Sequence, residues 1–315
     1  MKIVILDAST LGNDISWDKF KAFGDLSIYP LSRPDEIGPR IADADVVVTN
    51  KCRLTEEALG HCQKLRLILE AATGFDNIDT AFCRSKGIAV ANVKAYSTAS
   101  VAQLTLAMAL SLSTRLEAYR SYCADGSYSR SGLFTRVEPV WNELDKKTWG
   151  IVGAGTIGSK VAAVAEALGC EVITWQRRPS ERYQTVPLDE LLSRSDIISL
   201  HVPLNEATRG LISRERLKLV KPSAILINVA RGQILDETAV VDALLNKELG
   251  GFGCDVFAPE PFPEEHPFSR IRDLPNVILT PHMGWASAES RQRLMDALVR
   301  NLSAYLAGQD ENRIV

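Results

Sequence analysis

The sequence predicts an α/β protein with two parallel-sheet domains. Short apolar strand-like runs alternate with helical segments along the chain, which is typical of parallel sheets. The length of 315 residues suits two domains. A glycine-rich turn between a strand and a helix starts only after residue 150. A first set of strands without such a turn therefore precedes the second set.

The composition restricts the class of protein. The chain is 46% hydrophobic and 24% charged, so a filled core is expected and disorder is not. A net charge of −3 gives no support for a nucleic-acid or membrane partner. The six cysteines form no C-x-x-C pair and no metal-binding spacing, which indicates reduced thiols and a cytoplasmic protein without a metal site.

The N-terminal part contains apolar runs that predict strands but no phosphate-binding glycines. Thr55 is predicted to cap a short helix, since Glu56 and Glu57 suit its first turn. One long helix is predicted from about Thr98 to Tyr119, followed by an irregular polar stretch over 124–139. The predicted strands are Ile3–Leu6, Val46–Val48, Leu65–Leu69 and Ile88–Val90.

The second part alternates strands and helices more regularly, and a last helix over Ser287–Leu306 follows it. Its predicted strands are Gly150–Val152, Val172–Trp175, Ile197–Leu200, Ala224–Asn228, Gly251–Val256 and Val277–Thr280. Its predicted helices are Ile157–Leu168, Leu188–Ser193, Arg214–Val220 and Glu237–Asn246.

The segment from Gly153 to Gly158 has the form G-x-G-x-x-G and lies between a strand and a helix. That order is what a dinucleotide pyrophosphate site requires. Gly153 permits the tight turn, Gly155 lets the backbone approach the pyrophosphate, and Gly158 lets the helix pack close to the strand. Thr156 and Ile157 begin the helix, whose free N–H groups and positive dipole end face the phosphates.

The acidic residue that usually ends the next strand in such a site is absent. An Asp or Glu there would bind the ribose hydroxyls and repel a 2′-phosphate, but this chain has Gln176 followed by Arg177 and Arg178. Two guanidinium groups match a phosphate in charge and shape, and Ser180 offers a further hydroxyl. The sequence therefore favours NADPH/NADP+, with NADH/NAD+ open as the alternative; a solvated basic loop is the plainer interpretation of the two arginines.

Three later strands are each followed by a residue whose side chain could take part in a reaction. Arg231 is a planar cation for a carboxylate, and His282 can donate a proton to a carbonyl oxygen. Glu260, when beside a histidine, favours its charged form and fixes its orientation. Among the other histidines, His266 lies in an acidic loop and is predicted to be solvated, and His201 ends a strand, where a structural or cofactor-facing role is favoured over proton transfer.

In this order, and after the glycine turn, these segments resemble the D-isomer-specific 2-hydroxyacid dehydrogenases. The N-terminal segments Val48–Lys51 and Ala72–Asp79 are most similar to the glycerate dehydrogenase and hydroxypyruvate-glyoxylate reductase branch. The resemblance implies two Rossmann-like domains, with a cofactor domain inserted into a discontinuous substrate domain. The implied bounds are 1–98 plus 287–315 for the substrate domain and 99–286 for the cofactor domain. Family members usually carry Glu where this chain has Gln103.

The same resemblance implies residue roles. Arg231, Glu260 and His282 would be the catalytic residues, and the backbone of Thr73 and Gly74 would help bind the substrate carboxylate. Trp285 either walls the substrate pocket or fills space between domains. The remaining implied cofactor contacts are His201, Val202, Pro203, Ala230, Asp255 (facing the nicotinamide amide) and His282.

The predicted function is NADPH-preferring reduction of a small 2-keto acid, glyoxylate or hydroxypyruvate first, to the D-2-hydroxy acid. One alternative is an NAD-dependent dehydrogenase of D-lactate, D-glycerate or another D-hydroxy acid, and a more distant one is a dinucleotide-sensing co-regulator. The resemblance also implies a homodimer through the long helix and the irregular segment after it. Arg136 and Trp141 in that segment either contribute to a second subunit's substrate site or belong to a surface loop.

Overall fold

The structure, a computed structural model, describes residues 1–179 and 181–315. The chain separates into two compact units. The first unit comprises residues 1–97 and 286–315, and the second comprises residues 98–285. Among the described residues, no helix is both long and apolar enough to cross a membrane.

The strands and helices are labelled in chain order. The strands are β1 (Lys2–Ile5), β2 (Asp25–Ile28), β3 (Val46–Thr49), β4 (Leu67–Glu70), β5 (Ala89–Ala91), β6 (Thr148–Val152), β7 (Glu171–Trp175), β8 (Gln184–Thr185), β9 (Ile197–Leu200), β10 (Ile225–Asn228), β11 (Gly251–Cys254) and β12 (Val277–Leu279). The α-helices are α1 (Pro34–Ile41), α2 (Glu56–Leu59), α3 (Thr80–Lys86), α4 (Thr98–Ser113), α5 (Leu116–Ala124), α6 (Ser127–Ser131), α7 (Thr156–Ala167), α8 (Leu188–Arg194), α9 (Arg214–Leu217), α10 (Glu237–Leu245) and α11 (Ala288–Leu306). Short 3-10 helices cover Ala8–Leu11, Asp18–Phe23, Gly232–Ile234 and Pro267–Arg270.

The first unit is a five-stranded parallel sheet in the order β2-β1-β3-β4-β5. Buried side chains of the strands, such as Val4, Val47 and Ile68, pack with Ile37 and Ile41 of α1 in one apolar core. The C-terminal helix α11 packs against β4. The sequence therefore returns to the first unit after the second unit is complete.

The second unit is a seven-stranded parallel sheet in the order β12-β11-β10-β9-β6-β7-β8. Its central strands are buried on both faces, because successive residues belong to different cores. Ile225 and Ile227 pack with residues of α4 and α7, whereas Leu226 packs with residues of α8, α9 and α10. Together with the first sheet, this arrangement confirms the predicted fold class of two Rossmann-like parallel-sheet domains.

The predicted single helix from about Thr98 to Tyr119 is wrong. The structure has α4 and α5 instead, separated at Thr114 and Arg115. The Thr114 hydroxyl donates to the Leu110 carbonyl at 2.6 Å, and Arg115 has a left-handed φ of 53°. A helix does not continue through a left-handed residue. The segment predicted to be irregular also contains a short helix, α6.

Candidate active site

The candidate site lies along one edge of the seven-stranded sheet. All its strands are parallel, so their carboxyl ends meet at the same edge. β6 pairs with β7 on one side and β9 on the other, which makes this point a topological switch, where α/β sheets bind ligands. The predicted site residues that follow strands β12, β11, β10, β9, β6 and β7 are, in that order, His282, Glu260, Arg231, His201, Gly153 and Gln176.

The glycine turn has the geometry that a pyrophosphate cradle needs. Gly153 has a φ of 97°, and a Cβ there would lie 2.7 Å from Val202 Cγ1. A Cβ at Gly158 would lie 2.2 Å from the Gly153 carbonyl oxygen, so only glycine lets α7 start this close to the turn. A Cβ at Gly155 would meet nothing within 4 Å. The backbone at the start of α7 is therefore open to a phosphate group, and this turn fits a dinucleotide.

Gln176 comes directly after β7, beside the glycine turn. The Gly153 N–H donates to the carbonyl oxygen of Trp175 at 2.8 Å, which brings the end of β7 to the turn. Gln176 is half-buried, whereas Arg177 and Arg178 are exposed. The neutral residue thus lies in the predicted ribose position with two cations next to it. Ser180, the further hydroxyl named in the sequence prediction, lies outside the described residues.

His201 follows β9 and is held by a hydrogen-bonded chain between two strands. The Trp149 indole N–H donates to Ser199 Oγ at 3.0 Å, and Ser199 Oγ lies 3.0 Å from His201 Nε2. Burial lowers the pKa of His201 to about 3. A ring that stays neutral is unsuited to donating a proton near pH 7. Val202 next to it is buried and Pro203 is exposed.

Asn228 holds the turn that carries Arg231, a role that the sequence interpretation missed. Its side chain is fully buried at the end of β10. Its Oδ1 accepts from the Ala230 N–H at 3.0 Å, and its Nδ2 donates to the Arg231 carbonyl at 2.9 Å. The Asn preference for turns, where its side chain bonds the backbone two residues on, was the signal available in the sequence.

Asp255 organises the turn that carries His282. Its Oδ1 accepts from the Thr280 hydroxyl at 2.5 Å and the Met283 N–H at 2.9 Å, and its Oδ2 accepts from the Gly284 N–H at 2.8 Å. Burial raises the pKa of Asp255, while these donors act in the opposite direction. The carboxylate thus holds the Thr280 side chain before His282 and the two backbone amides after it, and the φ of 52° at His282 is left-handed. Its predicted contact with a nicotinamide amide stays a prediction.

Glu260 and His282 form a direct pair. His282 Nδ1 lies 2.7 Å from Glu260 Oε2, and Glu260 Oε1 accepts from the Phe257 N–H at 2.8 Å. With Nδ1 bonded to the carboxylate, Nε2 is the nitrogen left to face a reactant. The structure thus brings together two of the three predicted catalytic side chains.

Arg231 belongs to the neighbouring segment of the same edge. Its Nη1 donates to the Ala230 carbonyl at 2.8 Å. A Cβ on the next residue, Gly232, would lie 2.3 Å from the carbonyl carbon of Phe257. The backbone after Arg231 therefore packs directly against the start of the loop that carries Glu260.

His266 was predicted to be solvated, and that prediction is wrong. The residue is 4% exposed, and its Nε2 lies 3.0 Å from Glu237 Oε2. Its ring packs against Phe262 and Phe268, with centroid distances of 5.0 Å to each. The two glutamates before it in the sequence suggested solvent, but the aromatic residues on either side of them were the better signal.

The other predicted residues have these positions. Thr73 and Gly74 lie after β4 in the first unit, where the Thr73 hydroxyl donates to the Val93 carbonyl at 2.8 Å. Trp285 is half-buried at the end of the second unit. The Arg136 guanidinium lies 3.9 Å from the ring centroid of Tyr122, and Trp141 is exposed.

Comparisons with known proteins show which family the chain resembles over most of its length. A sequence model described as "D-isomer specific 2-hydroxyacid dehydrogenase, NAD binding domain" matches residues 106–284, more than half of the chain. A hydroxypyruvate reductase of Blautia hydrogenotrophica is 36% identical over 99% of both chains. A glycerate dehydrogenase of Methylorubrum extorquens is 36% identical over 99% of this chain and 98% of its own. A glyoxylate reductase of Pyrococcus furiosus is 35% identical over 86% of this chain and 82% of its own.

Two solved structures are similar over the whole chain. An acyclic imino acid reductase in complex with NADPH and D-Arg has a TM-score of 0.89 and 30% identity, with 100% of both chains covered. A D-lactate dehydrogenase from Aquifex aeolicus, complexed with NAD and lactic acid, has a TM-score of 0.87 and 30% identity, with 100% of this chain and 99% of its own covered.

His201 makes a prediction for acid stability. Its folded pKa of about 3 lies below the ordinary value of 6.5, so its contribution is present above pH 6.5 and is lost as the pH falls towards 3. At pH 5 the loss is about 2 kcal/mol in the free energy of unfolding, relative to pH 8. Denaturant titrations at both pH values should show a smaller pH-dependent loss in His201→Gln. The exposed His61, replaced by Gln, is the control, and equal pH dependence in His201→Gln and the unaltered protein would contradict the assignment.

Proposed function

The chain belongs to the D-isomer-specific 2-hydroxyacid dehydrogenases, and from that premise we propose that it reduces small 2-keto acids with NADPH as the preferred cofactor. Glyoxylate and hydroxypyruvate are the first substrates to test, because the relatives named above include reductases of both. The observation that carries the proposal is the Glu260–His282 contact of 2.7 Å at the carboxyl edge of the sheet, one strand from the segment of Arg231.

Each of the three side chains has a separate task in the proposed reaction. Arg231 binds the substrate carboxylate through its planar guanidinium. When bound, the nicotinamide supplies the hydride that adds to the keto carbon. His282 donates the proton from Nε2 to the keto oxygen, so that the carbonyl becomes a hydroxyl. Glu260 accepts from Nδ1 and stabilises the charged ring before the proton leaves. Thr73 and Gly74 stay predicted contacts of the substrate carboxylate.

The NADPH preference is supported by charge at the end of β7. Gln176 is neutral, so it lacks the carboxylate that would repel a 2′-phosphate. Arg177 and Arg178 are exposed there and match a phosphate dianion. The structurally similar imino acid reductase was solved with NADPH, whereas the similar D-lactate dehydrogenase was solved with NAD. Oxidation of D-lactate or D-glycerate with NAD is therefore the second candidate function.

The proposal assigns residues 99–286 as the cofactor-binding domain and 1–98 plus 287–315 as the substrate domain. The glycine turn and the Glu260–His282 pair both lie in the second compact unit. A cytoplasmic location stays a prediction from the cysteine pattern.

The protein is also proposed to form a homodimer through α4, α5 and the segment after them, which replace the predicted long helix and irregular stretch. Large apolar side chains are exposed there, and Phe134 is 95% exposed. Such a concentration of exposed apolar surface is typical of a protein interface. Apart from Phe134, the residues of this apolar surface are Leu116, Leu133, Val137, Val140 and Trp141.

Replacing the proposed proton donor tests the reaction. His282→Ala should lower kcat for hydroxypyruvate by about 10²–10⁴-fold, and NADPH binding measured by fluorescence should change little. The exposed His61→Ala is the matched control. The same assay, with glyoxylate, hydroxypyruvate, pyruvate and longer 2-keto acids against NADH and NADPH, identifies the substrate class. An unchanged kcat in His282→Ala, or a wild type that prefers D-lactate and NAD, would count against the proposal.

Removing both arginines tests the cofactor preference. The double variant Arg177→Ala, Arg178→Ala should weaken NADPH binding by about 10- to 100-fold, which is about 1.4–2.8 kcal/mol for the two contacts together. Each contact is expected at or below the lower end of the range for charged hydrogen bonds, because both arginines are exposed. The KM for NADH should stay near the wild-type value. Arg182→Ala is the matched control, because that arginine of the same loop already pairs with Glu166. Equal losses for the two cofactors would exclude a 2′-phosphate contact.

Introducing charged residues on the apolar surface tests whether that surface forms the dimer interface. The wild type should sediment at twice the chain mass of 34.6 kDa. Phe134→Asp with Val137→Asp should sediment as a monomer, because buried unpaired carboxylates are strongly disfavoured. Leu31→Asp, at a 64% exposed leucine in the first unit, is the control and should leave the mass unchanged. A monomeric wild type would refute the dimer.

A further inference from the structure

Glu237 and His266 form a buried polar pair beneath the loop that carries Glu260. Their side chains are 11% and 3% exposed, and Glu237 Oε2 lies 3.0 Å from His266 Nε2. Neither residue has a task in the reaction proposed above. Burial raises the pKa of Glu237, and His266 acts in the opposite direction. A buried polar pair contributes little net stability over an apolar pair of the same size, so its presence needs another explanation.

The pair holds one residue of that loop, Ala258, through the peptide groups on both of its sides. The Ala258 N–H donates to Glu237 Oε1 at 3.1 Å, and the Ala258 carbonyl lies 3.3 Å from His266 Nε2. The Phe268 N–H donates to His266 Nδ1 at 3.2 Å. Because Nδ1 accepts, the ring hydrogen is on Nε2 and points to Glu237 and Ala258. Donor and acceptor of Ala258 are thus both fixed.

Ala258 is adjacent to the residue that orients the catalytic carboxylate. The Phe257 N–H donates to Glu260 Oε1 at 2.8 Å, while Glu260 Oε2 meets His282 Nδ1 at 2.7 Å. A shift at Ala258 would move the Phe257 N–H and so rotate the Glu260 carboxylate. Glu237 is also the first residue of α10, which follows the Arg231 segment by a few residues. The same side chain therefore couples the loop of Glu260 to the segment of Arg231.

We propose that Glu237 and His266 are positioning residues, whose contact with Ala258 sets the orientation of Glu260 towards His282. The inference rests on the proposed function, since it takes Glu260 and His282 as the catalytic pair. A loosened loop would leave substrate and cofactor binding nearly intact but would misdirect the carboxylate. The expected effect therefore lies in kcat and in its pH dependence, rather than in the KM for the cofactor.

Two substitutions at His266 separate the hydrogen bonds of its two ring nitrogens. In His266→Gln the amide nitrogen takes the place of Nε2 and can still donate to Glu237 and Ala258. In His266→Asn the shorter side chain can still accept from Phe268 but does not reach Glu237. Glu237→Gln removes the pair from the other side, because an amide offers only one acceptor atom to the two donors that face it.

The experiment measures kcat for hydroxypyruvate from pH 5 to 10 with saturating NADPH. His266→Asn and Glu237→Gln should lower kcat by about 10- to 100-fold, as small misplacements of catalytic groups do. The alkaline fall of kcat should move to lower pH, since a misdirected carboxylate favours the charged imidazole less. His266→Gln should stay within about threefold of wild type, and the NADPH Kd should stay within about twofold, because the pyrophosphate turn is untouched.

The variant Leu192→Ala is the control for a general loss of stability. Leu192 is a fully buried residue of α8, which packs on β6 and β7. Losses of kcat that Leu192→Ala reproduces at the same Tm would overturn the proposal, as would equal activities of His266→Asn and His266→Gln. If Glu237→Gln and both His266 variants fail to fold, the pair is required for folding and the positioning role is rejected. A wild type without turnover rejects the proposed function and this inference together. An active wild type that needs His282 but tolerates His266→Asn rejects the inference alone.

Discussion

The parallel arrangement of the seven-stranded sheet is the constraint on which the site depends. Each parallel connection must cross back over the sheet, so every strand of this sheet ends at the same edge. Predicted site residues that are spread over more than a hundred positions, from Gly153 to His282, therefore lie along one edge of the sheet. The switch between β6 and β9 divides that edge. The glycine turn and Gln176 lie on one side of it, and Arg231, Glu260 and His282 lie on the other.

The position of a residue at the sheet edge does not orient its side chain. Buried polar side chains orient these segments through hydrogen bonds to the backbone. Asn228, Asp255 and Glu237 each accept backbone N–H groups in or beside a segment that carries a predicted catalytic residue. In the first unit, Asp7 does the same for the three successive amides that start at Asn50. A hydrogen bond to a charged group contributes about 1.5–3 kcal/mol. That magnitude suffices to hold a turn such as that of His282 in a sparsely populated backbone conformation, which costs about 1–3 kcal/mol.

How much of this the sequence revealed depends on the range of the interaction. The fold class and the strand ends followed from local apolar runs and turn residues, as did the glycine turn. Contacts between segments were invisible. His266 follows two glutamates in the sequence, but in the structure it lies against Glu237, an acid far away in the chain. The break at Arg115 was also missed, because the apolar pattern of α4 runs on towards α5 and nothing local marks a left-handed residue there. Strands β2 and β8 were not predicted either. They lie at sheet edges and lack the continuous apolar runs that indicate buried strands.

The residues on the two sides of the switch are held by different kinds of interaction. This difference determines how readily substitutions can alter each side. On the side of β7, the proposed cofactor choice depends on Arg177 and Arg178, whose side chains are exposed rather than part of a buried network of the described residues. Substitutions there alter charge at little cost in stability. On the side of β10 to β12, the segments of the predicted catalytic residues are connected by close backbone packing at Gly232 and by buried hydrogen-bond acceptors. A substitution there disturbs several segments at once. The proposed cofactor preference is therefore the more readily altered property of this site, whereas the Glu260–His282 contact depends on several segments at once.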